Sequence, residues 1–99
     1  MNAVGREVSD EQRVELEIPN RLGLHARAAA LFVKTASCFE AEVTVAKDGQ
    51  VVSGKSIMGI MMLAAEQGSR VAVAATGPQA AEALQALTDL IIARFHEPD

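Results

Sequence analysis

The sequence has no tryptophan and no tyrosine, and its only aromatic residues are three phenylalanines. An interior without large rings has to be filled by Val, Ile, Leu, Ala and Met, packed to high density. There is one cysteine, Cys38, so no disulfide can form within the chain. A lone thiol in a small domain fits a reducing compartment, and Cys38 is expected to sit as a small buried hydrophobe. Long apolar runs are missing too. The longest nearly apolar stretch, Ile57–Ala65, falls far short of the ~20 residues needed to span a bilayer. The segment Met1–Glu11 carries Arg6, Glu7, Asp10 and Glu11 and lacks the apolar centre of a signal peptide, so residues 1–11 are read as a flexible tail. Basic charge is scarce: nine Lys and Arg against 13 Asp and Glu leave a net charge of −4, which argues against nucleic acid as a partner. The expectation is a cytoplasmic protein with no membrane insertion.

What is present is globular. Hydrophobic residues make up 49% of 99 positions, enough for one domain with one core. Arg13–Ile18 alternates apolar Val14, Leu16 and Ile18 with polar neighbours, the pattern of a half-buried strand. Pro19-Asn20-Arg21-Leu22-Gly23 breaks it as a loop. Ala26–Ser37 places Ala29, Phe32, Val33 and Ala36 on one helical face, with Arg27, Leu31 and Lys34 as a second stripe. Two strands, Glu42–Ala46 and Gln50–Ser53, flank an Asp48-Gly49 hairpin signal. A short helix is expected from Ser56 to about Ala65, closed by Gly68. Arg70–Ala75 is a fourth strand. Thr76-Gly77-Pro78 opens the last helix, with Pro78 in its first turn and a core stripe of Ala80, Leu84, Leu87, Ile91 and Phe95 running to about Arg94. The predicted fold is α+β, an open-faced β-sandwich of order β-α-β-β-α-β-α. Its four-stranded, mostly antiparallel sheet carries three helices on one face.

His25, in Gly23-Leu24-His25-Ala26-Arg27, stands at the start of the first helix. Unpaired amides and the positive dipole end make such a place an anion site. A histidine there can attack phosphorus through an unprotonated ring nitrogen, and Arg27 can add charge-assisted hydrogen bonds to the phosphoryl oxygens. On spacing alone, a helix cap or a plain surface histidine stands beside that reading. Gly49-Gln50-Val51-Val52-Ser53-Gly54-Lys55-Ser56 fits the P-loop pattern literally. It is rejected as a nucleotide site, because Gly49 serves the hairpin and the next strand offers no Asp for Mg²⁺. Ser56 reads as a helix N-cap. His96, among Glu97, Pro98 and Asp99, reads as a frayed surface residue, and residues 96–99 as a tail. No His, Cys or carboxylate cluster has metal-ligand spacing, and no Ser-His-Asp set is legible.

Two runs carry a resemblance. Asn20-Arg21-Leu22-Gly23-Leu24-His25-Ala26-Arg27-Ala28-Ala29 resembles the active-site signature of HPr, the histidine-containing phosphocarrier family of the bacterial phosphotransferase system. Gly54-Lys55-Ser56-Ile57-Met58-Gly59-Ile60-Met61-Met62-Leu63 resembles its regulatory serine segment. The likeness covers about residues 12–95. It implies a monomeric, cofactor-free, stoichiometric carrier rather than an enzyme. His25 would accept a phosphoryl group on Nδ1 from Enzyme I and pass it to a IIA-type domain, with Arg27 assisting. It further implies Ser56 as the target of an HPr kinase/phosphorylase, and Ile57, Met58 and Met61 facing partners while Ile60 and Leu63 pack inward. Arg21, Leu31, Lys34 and Lys55 would complete a docking patch with a basic rim. Ala28 stands where the family often has proline. Alanine suits a helix, so the first turn survives, and this form resembles the nitrogen-related branch. The alternative is therefore a regulatory adaptor read through its phosphorylation state, without sugar transport. A third reading is a sandwich binding a small ligand between sheet and helices.

Overall fold

The structure, a computed structural model, describes residues 11–98. Its elements are β1 (Gln12–Glu17), α1 (Ala26–Ala36), β2 (Glu42–Lys47), β3 (Gln50–Ser53), α2 (Ile57–Met62), β4 (Arg70–Thr76) and α3 (Ala80–Ile92). A 3₁₀ turn over Arg94–His96 follows. The expected tail, apart from Glu11, lies outside the described residues, as does Asp99.

The four strands form one antiparallel sheet in the order β1-β4-β2-β3. Its register lines up β-branched side chains on the covered face. Val14 lies opposite Val73, Val73 opposite Val45, and Val45 opposite Val52, so one row of valines crosses every strand. Such cross-strand pairs are where a sheet gains its stability. The other face shows Arg13, Glu15 and Glu17 on β1 and Val51 on β3, all exposed. The Asp48-Gly49 turn between β2 and β3 has both residues at positive φ, 51° and 84°, as a two-residue hairpin requires.

The helices bury their apolar stripes on the valine row. Phe32 and Ala36 of α1, Ile60 of α2, and Leu87 and Ile91 of α3 are fully or almost fully buried, joined by Ile18 and Phe95. Burying each large aliphatic or aromatic side chain is worth ~1.5–3 kcal/mol. Thus the core is aliphatic apart from two buried phenylalanines, Phe32 and Phe95, as the missing Trp and Tyr require.

Four expectations need correction. First, α2 stops at Met62, because Ala64 turns left-handed (φ 51°) and the chain leaves to meet the loop before α1. Gly68 (φ 90°) belongs to the turn into β4. Second, Pro78 precedes α3, whose cap is Gln79; Gln79 binds the chain at Glu40 through both its amide N–H and its side-chain oxygen. Third, α3 ends at Ile92, so Phe95 reaches the core from a left-handed turn rather than from the helix. Fourth, Cys38 is exposed. The helix has ended by then, Ala36 fills the inward position, and the thiol donates outside to the Lys34 carbonyl at 3.4 Å.

Candidate functional site

The loop between β1 and α1 is folded tightly by its own sequence. Asn20 is completely buried, and its Nδ2 donates to the Gly23 carbonyl at 2.8 Å. Gly23 has φ 65°, and a β-carbon there would meet the Ala65 carbonyl oxygen at 2.4 Å. Only glycine tolerates both conditions. The close approach lets Leu24 N–H bond that same Ala65 oxygen at 2.9 Å, which pins the start of α1 to the chain beyond α2.

His25 is the N-cap of α1. Its backbone is extended (φ −75°, ψ −179°) and its carbonyl takes the first helical bond, from Ala29 N–H at 2.8 Å. The side chain makes no cap bond and stands 27% exposed. Here the expected placement is met: the imidazole sits at a helical origin, where first-turn amides lack intrahelical partners. A cleft of about 400 Å³ beside it is lined by Arg21, Leu22, His25, Arg27, Glu97 and Pro98. Arg27 is exposed, and one of its guanidinium nitrogens donates to the Phe95 carbonyl at 3.0 Å.

Glu97 is a site residue that no sequence signal marked. Its Oε2 lies 2.6 Å from His25 Nε2 and accepts from Asn20 Nδ2 at 2.7 Å, and its side chain is only 7% exposed. Burial works to raise the Glu97 carboxyl. The hydrogen bonds from His25 and Asn20, the attraction of His25 and the Leu22 amide outweigh that and hold it below the ordinary carboxylate range. Residues Arg94, Phe95 and His96 deliver the carboxylate. All three are left-handed, with φ of 58°, 54° and 57°. Each such residue costs about 1–2 kcal/mol, offset by the burial of Phe95 and by the Arg27 bond to its carbonyl. His96 is exposed, though held in an ordered turn rather than frayed.

On α2, Ser56 is the expected N-cap: its hydroxyl accepts from Gly59 N–H at 3.0 Å. Ile57, Met58, Met61 and also Met62 are exposed, whereas Ile60 and Leu63 are buried. Lys34 and Lys55 are exposed, and Leu31 is half-buried. Met62 and Leu22, both 63% exposed, extend the apolar surface beyond the residues expected from the sequence. Among the described residues, no group of His, Cys, Asp and Glu could hold a metal ion, and no helix is long and apolar enough to cross a membrane.

An antiparallel open-faced sandwich with a half-exposed histidine capping its first helix is the class that fold and site define. A family model described as the PTS HPr component phosphorylation site matches residues 12–93. Phosphocarrier protein HPr of Neisseria meningitidis is 54% identical over 82 residues, covering 83% of this chain and 92% of the relative. HPr-like protein Crh of Halalkalibacterium halodurans is 43% identical over 81 residues, covering 82% and 94% respectively. The crystal structure of HPr-C-His from Thermoanaerobacter tengcongensis is similar at a TM-score of 0.85 and 50% identity, covering 89% of this chain and 99% of that one. The chain belongs to the HPr family of phosphocarrier proteins.

Proposed function

We propose that this phosphocarrier takes a phosphoryl group on His25 Nδ1 from Enzyme I, charged by phosphoenolpyruvate, and hands it to a IIA-type domain in the cytoplasm. One observation carries the reading: the His25 ring is half-exposed at the origin of α1, with Nε2 engaged by Glu97 and Nδ1 left without a hydrogen-bond partner among the described residues. A transferred phosphoryl group on that nitrogen meets first-turn amides and the positive helix end. Arg27, which lines the same cleft, supplies further donors. The chain acts as a stoichiometric carrier, with the phosphohistidine as its working state.

Partners dock on the exposed Arg21, Lys34, Lys55, Ile57, Met58 and Met61 and on the half-buried Leu31, carried by α1, α2 and the loops before them. Exposed methionines adapt to several partners, and the basic rim selects acidic ones. Ser56 is the site at which a kinase adds charge to this face. Its hydroxyl caps α2, and a phosphate at a helix N-terminus is electrostatically tolerated. A second reading, a regulatory adaptor of the nitrogen-related branch, draws on Ala28. Incubation with Enzyme I and phosphoenolpyruvate is expected to yield an acid-labile phosphohistidine that His25→Ala abolishes. Equal labelling of the Ala variant overturns the site assignment.

A further inference from the structure

The carboxylate behind the nucleophile is what the carrier chemistry leaves unexplained. Glu97 brings negative charge to a place meant to receive a phosphoryl anion, so its position calls for a function. It approaches the imidazole from the Nε2 side, at 2.6 Å, and the same oxygen, Oε2, accepts from the buried Asn20 amide at 2.7 Å. Neither partner is loosely placed. Asn20 is fully buried, and the Arg94–His96 turn that aims Glu97 is braced by Arg27 on the Phe95 carbonyl.

An ionised carboxylate can only accept hydrogen bonds. A 2.6 Å contact from Glu97 to His25 therefore places the proton on Nε2. In a neutral imidazole with one proton, the lone pair is then on Nδ1. We propose that Glu97 is a positioning residue that fixes the tautomer and ring orientation of His25, so that Nδ1 is the nitrogen presented to phosphorus. This rests on the reading of His25 as phosphoryl acceptor, and it assigns to Glu97 and, through it, Asn20 a part in that reaction.

The step balances without a further reagent. The Nδ1 lone pair forms the N–P bond as the bond from phosphorus to the donor's leaving atom breaks, and that electron pair leaves with the donor. His25 gives up no proton. The ring acquires positive charge while its Nε2–H still faces the Glu97 carboxylate. The ion pair is strengthened as transfer proceeds, which is when an interaction lowers a barrier. Onward transfer runs the same sequence in reverse.

The test uses the full chain and the variants Glu97→Ala and Glu97→Gln. Phosphoramidate serves as the phosphoryl donor, being small enough to need no docking face. Before any donor is added, proton NMR of the parent is expected to show a His25 Nε2–H shielded from solvent exchange. Glu97→Ala loses that signal. Glu97→Gln keeps an acceptor of the same shape, retains the signal and lacks the charge. On adding donor, Glu97→Ala is expected to react about tenfold more slowly than the parent, a difference of ~1.4 kcal/mol in barrier, with Glu97→Gln in between. Phosphorus NMR is expected to place the label on Nδ1 in the parent and to show a share on Nε2 in Glu97→Ala. Circular dichroism confirms that each variant is folded. A parent that takes up no label overturns the acceptor reading itself. A labelled parent whose Glu97→Ala variant matches it in rate and in labelled nitrogen overturns the role of Glu97 alone. Equal rates for Glu97→Gln and the parent, with Glu97→Ala slow, overturn the charge stabilisation.

Discussion

Asn20 and Glu97 are joined by a 2.7 Å hydrogen bond across 77 residues of sequence. The Asn20 amide spends one N–H on Glu97 and another on the Gly23 carbonyl, both acceptors, so the amide has only one admissible orientation. Its Oδ1 is buried and has no partner among the described residues. A buried acceptor left so costs about 1–3 kcal/mol. The molecule accepts this cost at the point where the loop before α1 meets the turn after α3, and that joint sets the histidine.

The joint is expected to open with acid. The Glu97 carboxyl titrates lower in the folded protein than in the unfolded chain, its burial being outweighed by bonds from His25 and Asn20. Its charged form therefore contributes stability that is complete above the ordinary Glu range, near pKa ~4.3. That contribution is lost as pH falls through the lowered folded value. A carbon-13 NMR titration of the Glu97 carboxyl should show its protonation step below the ordinary carboxylate range. A protonation step at or above that range contradicts the expectation.

Gly23→Ala is expected to destabilise by about 2–4 kcal/mol. The new methyl would lie 2.4 Å from the Ala65 oxygen, on a residue with φ 65°. Urea unfolding measures this. The bond from Leu24 N–H to Ala65 should be broken as well, visible as faster exchange of the Leu24 amide.

Ser56→Ala removes the acceptor of the Gly59 N–H and should cost ~1 kcal/mol. Because α2 spans only Ile57–Met62, the loss should show first as faster exchange of the Gly59 and Ile60 amides. A variant as stable as the parent, with those amides unchanged, would count against the cap.

His96→Gly should stabilise the chain. His96 is exposed at φ 57°, where L side chains are strained and glycine is not. A net gain of about 0.5–1 kcal/mol remains after the added freedom of the unfolded chain, or a few degrees in Tm. Thermal unfolding monitored by circular dichroism checks it.

The strands, the hairpin and the first helix were legible because each carries a local signal. Val14, Leu16 and Ile18 alternate, Asp48-Gly49 admits one turn type, and Ala29, Phe32 and Ala36 share a helical face. His25 was legible for the same reason, since its position at a helix origin is a matter of neighbours in sequence. Element ends were harder. The stop of α2 at Met62 depends on Ala65 being drawn to Leu24, a contact no local pattern announces. Glu97 was invisible for a related reason. In sequence it is one acidic residue beside Pro98 and Asp99, and only a left-handed turn without a single glycine brings it to the imidazole. Cys38 misled because its type favours burial, while its place after the end of α1 decides otherwise.

The pairing of β1 with β4, and of His25 with Glu97, has a consequence for biosynthesis. A ribosome delivers the nucleophile early, yet Val14 waits for Val73 and the imidazole waits longer still for its carboxylate. Nascent protein emerging from the exit tunnel thus carries both strands of the hairpin while its centre is still unfinished, and the centre closes only once residue 97 has cleared the tunnel.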